Sequence, residues 1–551
     1  MTLNDDPLWY KNAVFYEVHI RSFCDSNGDG RGDLAGITSK LDYIKELGVD
    51  CIWLLPMFPS PLKDDGYDIA DYFNVHPDYG TVEDFKTLVN EAHVRGIRII
   101  ADLVLNHTSD EHPWFVAARS SRDNPYRDYY VWSDTDQKYG EARIIFVDTE
   151  PSNWSFDEIS GQYYWHRFFS SQPDLNFDNP VVAEQMIDII KYWLAMGIDG
   201  FRADAVPYLF EREGTSCENL PETHAYLKRV RAVMETDYPG TILLGEANQW
   251  PWDLRPYFGG NPDDPEVPGD EFHMAFHFPV MPRIFKALKL GDATDILKIM
   301  ADTPSIPDNG QWCVFLRNHD ELTLEMVTEE DRQLMWKLYA PQERMRLNLG
   351  IRRRLAPLLD NDRRKIEVAN AILFSLPGAP IIYYGDEIGM GDNIWLFDRN
   401  GVRTPMQWAA DPGAGFSQTE PAEFWAPLID DEVYGYQQIN VAAQMADPNS
   451  LFHAMKRFIA VRKAHSVLAW GNCDFLNVDN QAVLAYLRHT EDEQMLIVCN
   501  LSDQTQTVTL RLPKFVGVTP HDVLSDKLLD PVGQTRYRIS LSPYQYHWLK
   551  L

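Results

Sequence analysis

Residues 200–206, Gly-Phe-Arg-Ala-Asp-Ala-Val, form a short apolar segment that contains an arginine and an aspartate. A helical pattern of apolar residues precedes it over residues 181–196, and Gly197 can adopt the left-handed conformation that closes a helix. This order of helix, turn and strand places Asp204 at the carboxyl end of a strand, which is where the active-site residues of parallel barrels lie. From these seven residues alone, an Arg–Asp pair that only stabilises a barrel is an equal alternative.

The composition of the chain indicates how many domains it has, which partners it can bind and in which compartment it works. The chain has 551 residues, 45% of them apolar, which predicts two or three domains. Its 50 basic and 82 acidic residues give a charge of -32, so we expect neither a nucleic-acid partner nor a membrane partner. The six cysteines are scattered like reduced core thiols. The acidic N-terminus has no signal-peptide pattern, so we expect a cytoplasmic protein.

Strand and helix patterns alternate along most of the chain. Apolar strand patterns occur at residues 13–20, 51–58, 97–105, 200–206, 241–246, 274–278, 313–316 and 380–384. This alternation predicts parallel strands joined by right-handed crossovers. Eight such units favour an α/β fold with a closed (β/α)8 TIM barrel, and an open doubly wound sheet is the alternative.

The alternation breaks twice. Residues 108–176 are aromatic, polar and too long for a loop without structure, so we expect an inserted subdomain that roofs the active site. Towards the C-terminus the pattern changes to alternating segments such as residues 505–512, which indicate an antiparallel β-sandwich. We therefore expect a barrel of residues 1–107 and 177–465, an insertion of residues 108–176 and a sandwich of residues 466–551.

Polar side chains follow the predicted strands at one rim of the barrel. They are Tyr67, Asp68, Asn106, His107, Arg202, Asp204, Glu246, His319 and Asp320. Crowded carboxylates repel one another, so this concentration indicates function rather than stability. In retaining glycosidases one carboxylate attacks the anomeric carbon and a second carboxylic acid protonates the leaving oxygen. An arginine beside the attacking group keeps that group ionised.

A second polar cluster follows the first strand. The residues at every second position are Asp25, Asn27, Asp29, Arg31 and Asp33, with glycines between them. Oxygens at this spacing can point at one hard cation, so we predict a calcium or magnesium ion here. A turn rich in Asp and Asn is the alternative. Gly36 stands where an EF-hand needs its last glutamate, so the loop is not an EF-hand.

These motifs resemble the alpha-amylase superfamily of glycoside hydrolases. Matches in the order of that superfamily lie at residues 102–107, 172–176, 200–204, 245–247 and 318–320. The likeness runs from about residue 13 to the C-terminus. Five motifs in the same order make the resemblance specific, and it implies a barrel enzyme that acts on glycosidic bonds.

The resemblance also implies roles for individual residues. It makes Asp204 the nucleophile, Glu246 the acid and base, and Asp320 the stabiliser of the transition state. It implies substrate contacts from Asp64, Tyr67, His107, Arg202, His319 and Arg403. Members of the superfamily commonly hold a structural calcium ion, for which it implies the ligands Asn106, Asp174, Tyr208, Leu209 and Glu211. It implies no organic cofactor.

Three segments are similar to the branch of the superfamily that interconverts maltose and trehalose: residues 141–143, 204–215 and 318–323. This likeness implies a retaining isomerisation of a small disaccharide, with minor hydrolysis to glucose. Such a reaction must exclude water from the pocket. We assign pocket closure to Arg143, Asn248 and Glu321, for which surface pairing is the alternative.

The main alternative function is an alpha-glucosidase of the oligo-1,6-glucosidase type, with water as the acceptor. A non-catalytic sugar-binding barrel is disfavoured because Asp204, Glu246 and Asp320 are all present. A phosphorylase and a polymer-extending glucosyltransferase are more distant alternatives. A homo-oligomer is left open.

Overall fold

The computed structural model describes residues 6–551, so the expectation about a signal peptide at residues 1–5 lies outside the described residues. The barrel strands are β1 Phe15–Val18, β2 Cys51–Leu54, β3 Arg98–Val104, β4 Gly200–Asp204, β5 Ile242–Gly245, β6 Met274–Phe276, β7 Gln311–Phe315 and β8 Ala379–Tyr383. They close into a parallel barrel in sequence order, with β8 beside β1. The predicted TIM barrel is confirmed, and the open-sheet alternative is wrong because β1 pairs with both β2 and β8.

The barrel strands are buried on both faces. Every residue of β1 to β8 is buried, as expected when one face lies inside the barrel and the other lies under helices. Gly200 begins β4 with a φ of +146°, and a Cβ there would lie 2.1 Å from the carbonyl oxygen of Ile242. Glycine therefore allows β4 to approach β5 closely at this point.

Helices surround the barrel and connect its strands. Those of the described residues are Ile20–Phe23, Leu34–Ser39, Leu41–Leu47, Val82–Val94, Pro113–Ser120, Pro180–Leu194, Pro221–Asp237, Pro251–Leu254, Val280–Leu290, Thr294–Ala301, Glu329–Tyr339, Leu355–Leu358, Arg363–Ser375, Val441–Ala446, Leu451–Ala464 and Val467–Trp470. The helix before β4 begins after Asn179, whose side chain accepts from the amide of Val181 at 3.0 Å. Gly197 has a φ of +96°, which fits the predicted turn from helix to strand.

The chain between β3 and β4 carries a small antiparallel sheet. Its strands are Trp132–Ser133, Trp154–Asp157 and Gln162–Trp165. The ring of Phe115 stacks on Trp132 at 5.6 Å and anchors the preceding helix to this sheet. A bridge between His107 and Asp174 joins the two ends of the insertion next to β3. The insertion therefore lies over the carboxyl end of the barrel.

A second small antiparallel sheet lies between β7 and β8. Its strands, which we call the cap sheet, are Leu322–Thr323, Arg346–Leu347 and Gly350–Ile351. The first of these strands pairs with the last. The first cap-sheet strand begins at Leu322, shortly after β7 ends at Phe315. The cap sheet therefore lies at the carboxyl end of the barrel, as the insertion does.

The C-terminal part forms the predicted β-sandwich, which is confirmed. One antiparallel sheet contains Asn472–Phe475, Val483–His489, Gln494–Asn500, His521–Asp522, Lys527–Leu528 and Tyr546–Lys550. The other pairs Gln506–Arg511 with Arg536–Leu541. Apolar side chains of both sheets, such as Val498 and Val508, form one core. Among residues 6–551, no helix is long and apolar enough to cross a membrane.

Candidate active site

A pocket opens at the carboxyl ends of the barrel strands, beneath the insertion and the cap sheet. Its lining residues are Asp64, Tyr67, His107, Ile145, Phe146, Phe168, Asp204, Ala205, Tyr208, Glu246, Asn248, Phe278, Asn318, Asp320, Glu321, Thr323, Glu325 and Arg399. The three carboxylates predicted to be catalytic all belong to this lining. Parallel strands bring together side chains that are more than a hundred residues apart in the sequence.

Arg202 lies below the pocket and contacts three carboxylates. Its Nη1 donates to Asp204 Oδ1 at 2.7 Å and also to Asp102, and its Nη2 lies 2.6 Å from Glu246 Oε1. The strand register explains this position, because Arg202 on β4 stands opposite Asp102 on β3 and Leu244 on β5. The buried guanidinium offsets charges that would otherwise be costly to bury.

The two carboxyls that line the pocket beside Arg202 differ in proton affinity. Burial raises the pKa of Asp204 to about 6, while the charge of Arg202 opposes the increase. Burial raises the pKa of Glu246 to about 7, Arg202 again opposes it, and the charge of Asp204 adds to it. Near neutral pH this favours an ionised Asp204 beside a Glu246 that holds a proton. A retaining glycosidase needs this division between nucleophile and acid.

Asp320 lies among three cations. Its Oδ1 accepts from Arg399 Nη1 at 2.9 Å and from Arg403 Nη2 at 3.1 Å, and its Oδ2 lies 3.1 Å from His319 Nε2. Burial opposes its charge, but His319 and Arg399 hold the pKa of Asp320 well below its usual range. Asp320 is therefore ionised at neutral pH and can accept hydrogen bonds from a sugar.

Tyr67 and His107 both line the pocket, as expected for sugar contacts. The hydroxyl of Tyr67 donates to Asp102 Oδ2 at 3.2 Å, and its ring stacks on His319 at 5.4 Å. His107 Nε2 lies 3.2 Å from the carbonyl oxygen of Tyr67. Burial lowers the pKa of His107 to about 3, so this ring is neutral. The predicted residues His319 and Arg202 both contact Tyr67.

Arg403 does not line the pocket, which corrects the position expected for it. The resemblance places it with Asp64, but its side chain is 1% exposed and bonds to Asp65 Oδ2 at 3.0 Å and to Asp320. Arg399 takes the expected place, with Nη2 2.5 Å from Asp64 Oδ1. The 3-10 helix Asn400–Val402 separates the two arginines, so one faces the sugar site and the other supports Asp320 from behind.

Arg143, one of the residues assigned to closure, joins three parts of the roof. Its Nε donates to Glu218 Oε1 at 2.8 Å, its Nη1 to Glu325 Oε2 at 2.5 Å and its Nη2 to Tyr208 Oη at 3.2 Å. Tyr208 and Glu218 follow β4, and Glu325 follows the first cap-sheet strand. A single side chain of the insertion thus ties the chain after β4 to the cap sheet.

The other two residues assigned to closure line the pocket themselves. Asn248 Nδ2 donates to Thr323 Oγ1 at 3.1 Å, and Glu321 Oε1 accepts from Asn348 Nδ2 at 3.2 Å. Burial raises the pKa of Glu321 to about 7, against the effect of Arg399. Both residues therefore offer polar groups to a ligand as well as contacts within the roof.

Several lining residues were missed by the sequence analysis. Phe146 and Phe168 of the insertion meet with ring centres 5.4 Å apart, and the guanidinium of Arg399 lies 5.4 Å from the centre of the Phe146 ring. Thr323 and Glu325 come from the cap sheet and its end. None of the four follows a barrel strand directly, so no strand-end pattern marks them in the sequence.

The side chains expected to bind a structural calcium ion lie together beside the ends of the insertion. Asn106 Oδ1, Asp174 Oδ2 and Glu211 Oε1 are buried and have no hydrogen-bond partner among the described residues. Burial raises the pKa of Asp174 to about 8, and burial together with the charge of Asp174 raises the pKa of Glu211. Three orphaned oxygens fit a hard cation, which would relieve both effects.

The shell of this site needs more than carboxylates. Across residues 6–551, no group of three or more His, Cys, Asp or Glu side chains is arranged to hold a metal ion. The Asn106 amide and main-chain carbonyls at Tyr208 and Leu209 would have to complete the set, and calcium accepts such neutral oxygens. The ion would then link the end of β3, the end of the insertion and the chain after β4.

The second predicted ion loop uses its oxygens internally. Asp25 accepts from the main-chain amides of Gly28 at 2.7 Å and Gly30 at 2.8 Å. Asn27 and Asp29 each accept from the amide two residues further on at 2.9 Å. The remaining predicted members are Arg31, which lies 3.2 Å from Asp78, and Asp33, which caps the helix Leu34–Ser39. The turn alternative explains these contacts, and the calcium or magnesium ion stays a prediction.

Two family models match the chain. The one described as alpha amylase, catalytic domain, matches residues 17–348 and 351–471. The one described as maltogenic amylase, C-terminal domain, matches residues 473–548. Together they span the barrel with its insertion and cap sheet, and the C-terminal sandwich.

Individual proteins are similar over almost the whole chain. The trehalose synthase/amylase TreS of Mycobacterium tuberculosis is 56% identical over 549 residues, which are 99% of this chain and 91% of that protein. The oligo-1,6-glucosidase of Parageobacillus thermoglucosidasius is 32% identical over 607 residues, covering 99% of both. A solved structure of an inactive double mutant of MutB in complex with isomaltulose has a TM-score of 0.79 and 28% identity, and covers 98% of this chain and 99% of that one.

We expect calcium to raise the Tm of chelator-treated protein, because an ion that binds only the folded chain stabilises it by mass action. The increase should be larger at pH 8 than at pH 6, because protons compete for carboxyls whose pKa is raised. Glu211→Gln should remove most of the increase. Asp188→Asn, at an exposed carboxylate of the helix before β4, is the matched control. An equal calcium effect in both variants, by differential scanning fluorimetry, would contradict the site.

Proposed function

This chain belongs to the alpha-amylase family, and from that premise we propose that it interconverts maltose and trehalose by intramolecular transfer of a glucosyl group. The observation that carries the proposal is the roofed pocket in which Asp204 and Glu246 share the charge of Arg202. The relative with the higher identity is a trehalose synthase/amylase, which favours transfer to a sugar over transfer to water.

Asp204 and Glu246 carry out the first half of the reaction. Asp204 attacks the anomeric carbon of the non-reducing glucose of maltose, and Glu246 gives its proton to the bridging oxygen. The bond between that carbon and the bridging oxygen breaks, which leaves a glucosyl ester on Asp204 and a free glucose. The raised pKa of Glu246, about 7, keeps the required proton available near neutral pH.

The polar residues around the nucleophile hold the transferred glucosyl unit. Asp64 and Arg399 form an ion pair at one side of the pocket, where they can bond to the hydroxyls farthest from the reacting carbon. His107 and Tyr67 contact the ring from the barrel side. Ionised Asp320 binds hydroxyls more strongly as the ring gains positive charge, which lowers the barrier.

The second half of the reaction reverses the roles. The freed glucose stays under the roof and turns so that its anomeric hydroxyl faces the glucosyl ester. Glu246, now ionised, takes the proton of that hydroxyl, and the oxygen attacks the glucosyl carbon and displaces Asp204. The product is the 1,1 linkage of trehalose. Asn248, Glu321 and Glu325 also line the pocket and provide polar groups for contacts with the turning glucose.

Water is the competing acceptor, and minor hydrolysis to glucose follows from its occasional entry. An alpha-glucosidase would use the same carboxylates and admit water freely. The contacts of Arg143 oppose that alternative, because they tie the chain after β4 to the cap sheet across the roof. Excluding water also strengthens the electrostatic interactions inside the pocket.

Three further features of the enzyme are proposals. A structural calcium ion at Asn106, Asp174 and Glu211 joins the insertion to the barrel and takes no part in the chemistry. No organic cofactor is needed, because both half-reactions use only a nucleophile, an acid and a base. All six cysteines are unpaired, which fits a reducing compartment, so we propose that the enzyme works in the cytoplasm.

Incubation with maltose, followed by NMR of the sugars, tests this function. We expect trehalose as the main product and glucose as a minor one. Asp204→Asn should lower both by more than about a thousandfold, because the nucleophile is lost. Asp188→Asn at the surface should leave both unchanged. Glucose as the sole product would contradict the isomerase and leave the glucosidase.

We further expect Arg143→Ala to raise the ratio of glucose to trehalose severalfold. The change releases Glu218 and Glu325 from their shared partner and lets water reach the glucosyl ester more often. The matched control is Arg122→Ala, which removes an exposed arginine of the same insertion that pairs with exposed Asp134. Product ratios by NMR at equal conversion decide the outcome. The same ratio in both variants would show that Arg143 has no part in closure.

A further inference from the structure

Glu17 is a carboxylate below the pocket that the proposed reaction does not use. It lies on β1, between Trp53 of β2 and Tyr383 of β8, and is fully buried. It does not line the sugar pocket. Burying a carboxylate costs free energy unless the group is paired and hydrogen-bonded. The partner of Glu17 therefore indicates its role.

The partner of Glu17 is His319. The Oε1 atom of Glu17 lies 2.5 Å from His319 Nδ1 and accepts the main-chain amide of His319 at 3.1 Å. Two donors of one residue therefore meet the same oxygen. This pair of contacts fixes both the position of the imidazole ring and its rotation.

The other ring nitrogen of His319 faces the pocket. Nε2 lies 3.1 Å from Asp320 Oδ2 and 2.9 Å from Tyr67 Oη. The hydroxyl of Tyr67 can donate its one proton either to Asp102 Oδ2, at 3.2 Å, or to His319 Nε2. A neutral imidazole has one N–H and one lone pair, and here a lone pair on either nitrogen would face a carboxylate oxygen. Two flanking carboxylates therefore favour protons on both nitrogens, which makes His319 a cation.

The electrostatics agree with this geometry. Burial alone would lower the pKa of His319, but the charges of Asp320 and Glu17 raise it to about 9. The charged and titratable groups that face the pair from the packed elements are Asp320 after β7, Glu17 of β1, Tyr67 after β2, Asp102 of β3, Arg202 of β4, Glu246 after β5, Cys313 of β7, Tyr383 of β8, and Asp386 and Arg403 after β8.

We propose that Glu17 is a positioning residue that holds His319 as a cation and thereby keeps Asp320 ionised and oriented in the pocket. Glu17 acts through His319 and does not touch the substrate. Its negative charge, rather than its shape, is what the site uses. The kinetic consequence rests on the proposed glucosyl transfer, whereas the charge of His319 can be measured without it.

Glu17→Gln separates charge from shape. The amide oxygen of glutamine can still accept from both donors of His319, but the negative charge is gone. His319 then loses its proton at a lower pH than about 9, so the cationic form is depleted earlier as the pH rises. The ratio of variant to wild-type kcat/KM should therefore fall with increasing pH, by roughly three- to tenfold between pH 6 and pH 9.

A second buried glutamate provides the control. Glu387, after β8, is also fully buried, and it accepts from the hydroxyls of Tyr16 and Tyr43 at 2.6 Å each. Glu387→Gln should lower stability, and its kcat/KM should keep a constant ratio to wild type across the same pH range. Hydrolysis of 4-nitrophenyl α-D-glucoside is the assay, because it reports formation of the glucosyl ester whatever the later acceptor is. Tm measurements exclude pH points at which a variant unfolds.

The protonation of His319 can also be observed directly in the unmodified protein. In ¹⁵N-histidine-labelled protein, with His319→Gln to assign its signals, both ring nitrogens of His319 should carry protons at pH 7.5. A neutral ring at that pH, or a Glu17→Gln ratio that does not change with pH, would overturn the proposal. If wild type makes no trehalose from maltose, the proposed function fails, but the NMR titration still decides the role of Glu17.

Discussion

The guanidinium of Arg202 makes it possible for three carboxylates to occupy one buried region. Asp102, Asp204 and Glu246 stand on or after three adjacent strands, and Arg202 contacts all of them from the middle strand. Without it, each carboxylate would lose its hydration and the cation in contact with it, and the three would repel one another. The barrel sets this arrangement because its register puts β4 between β3 and β5.

The pKa of each carboxyl in the pocket depends on how many cations contact it. Asp320 has three cationic neighbours, and its pKa is held well below the usual range despite burial. Asp204 and Glu246 share the one charge of Arg202, and burial raises the pKa of each. The pocket thus contains one carboxylate of lowered pKa and two carboxyls of raised pKa, which are the properties that the proposed stabiliser, nucleophile and acid need. One of the three cations around Asp320 is a histidine, so its charge depends in turn on the buried carboxylate of Glu17.

The barrel and the positions of Asp204, Glu246 and Asp320 in its pocket could be predicted because their signals are local. Asp204 ends an apolar strand that follows a helix and a glycine, and this local order predicts its position at the carboxyl end of the barrel. The insertion could be predicted as a roof from its length and aromatic content, but the cap sheet could not, because its two-residue strands have no readable period. The choice between Arg399 and Arg403 depends on a single 3-10 turn. For the loop at residues 25–33 the sequence pattern is clear but its meaning is not unique. Oxygen side chains at alternate positions suit a bound ion and a turn with internal hydrogen bonds equally well.

The proposed transfer requires that Asp204 becomes covalently bound to the glucosyl unit. The most direct measurement uses 5-fluoro-α-D-glucosyl fluoride, whose ring fluorine slows the second half of the reaction so that the ester accumulates. Mass spectrometry of the digested protein should find one added fluoroglucosyl group per chain, on the peptide that contains residues 200–206. A label on Glu246, on Asp320 or on no residue at all while the reagent is turned over would show that Asp204 is not the nucleophile.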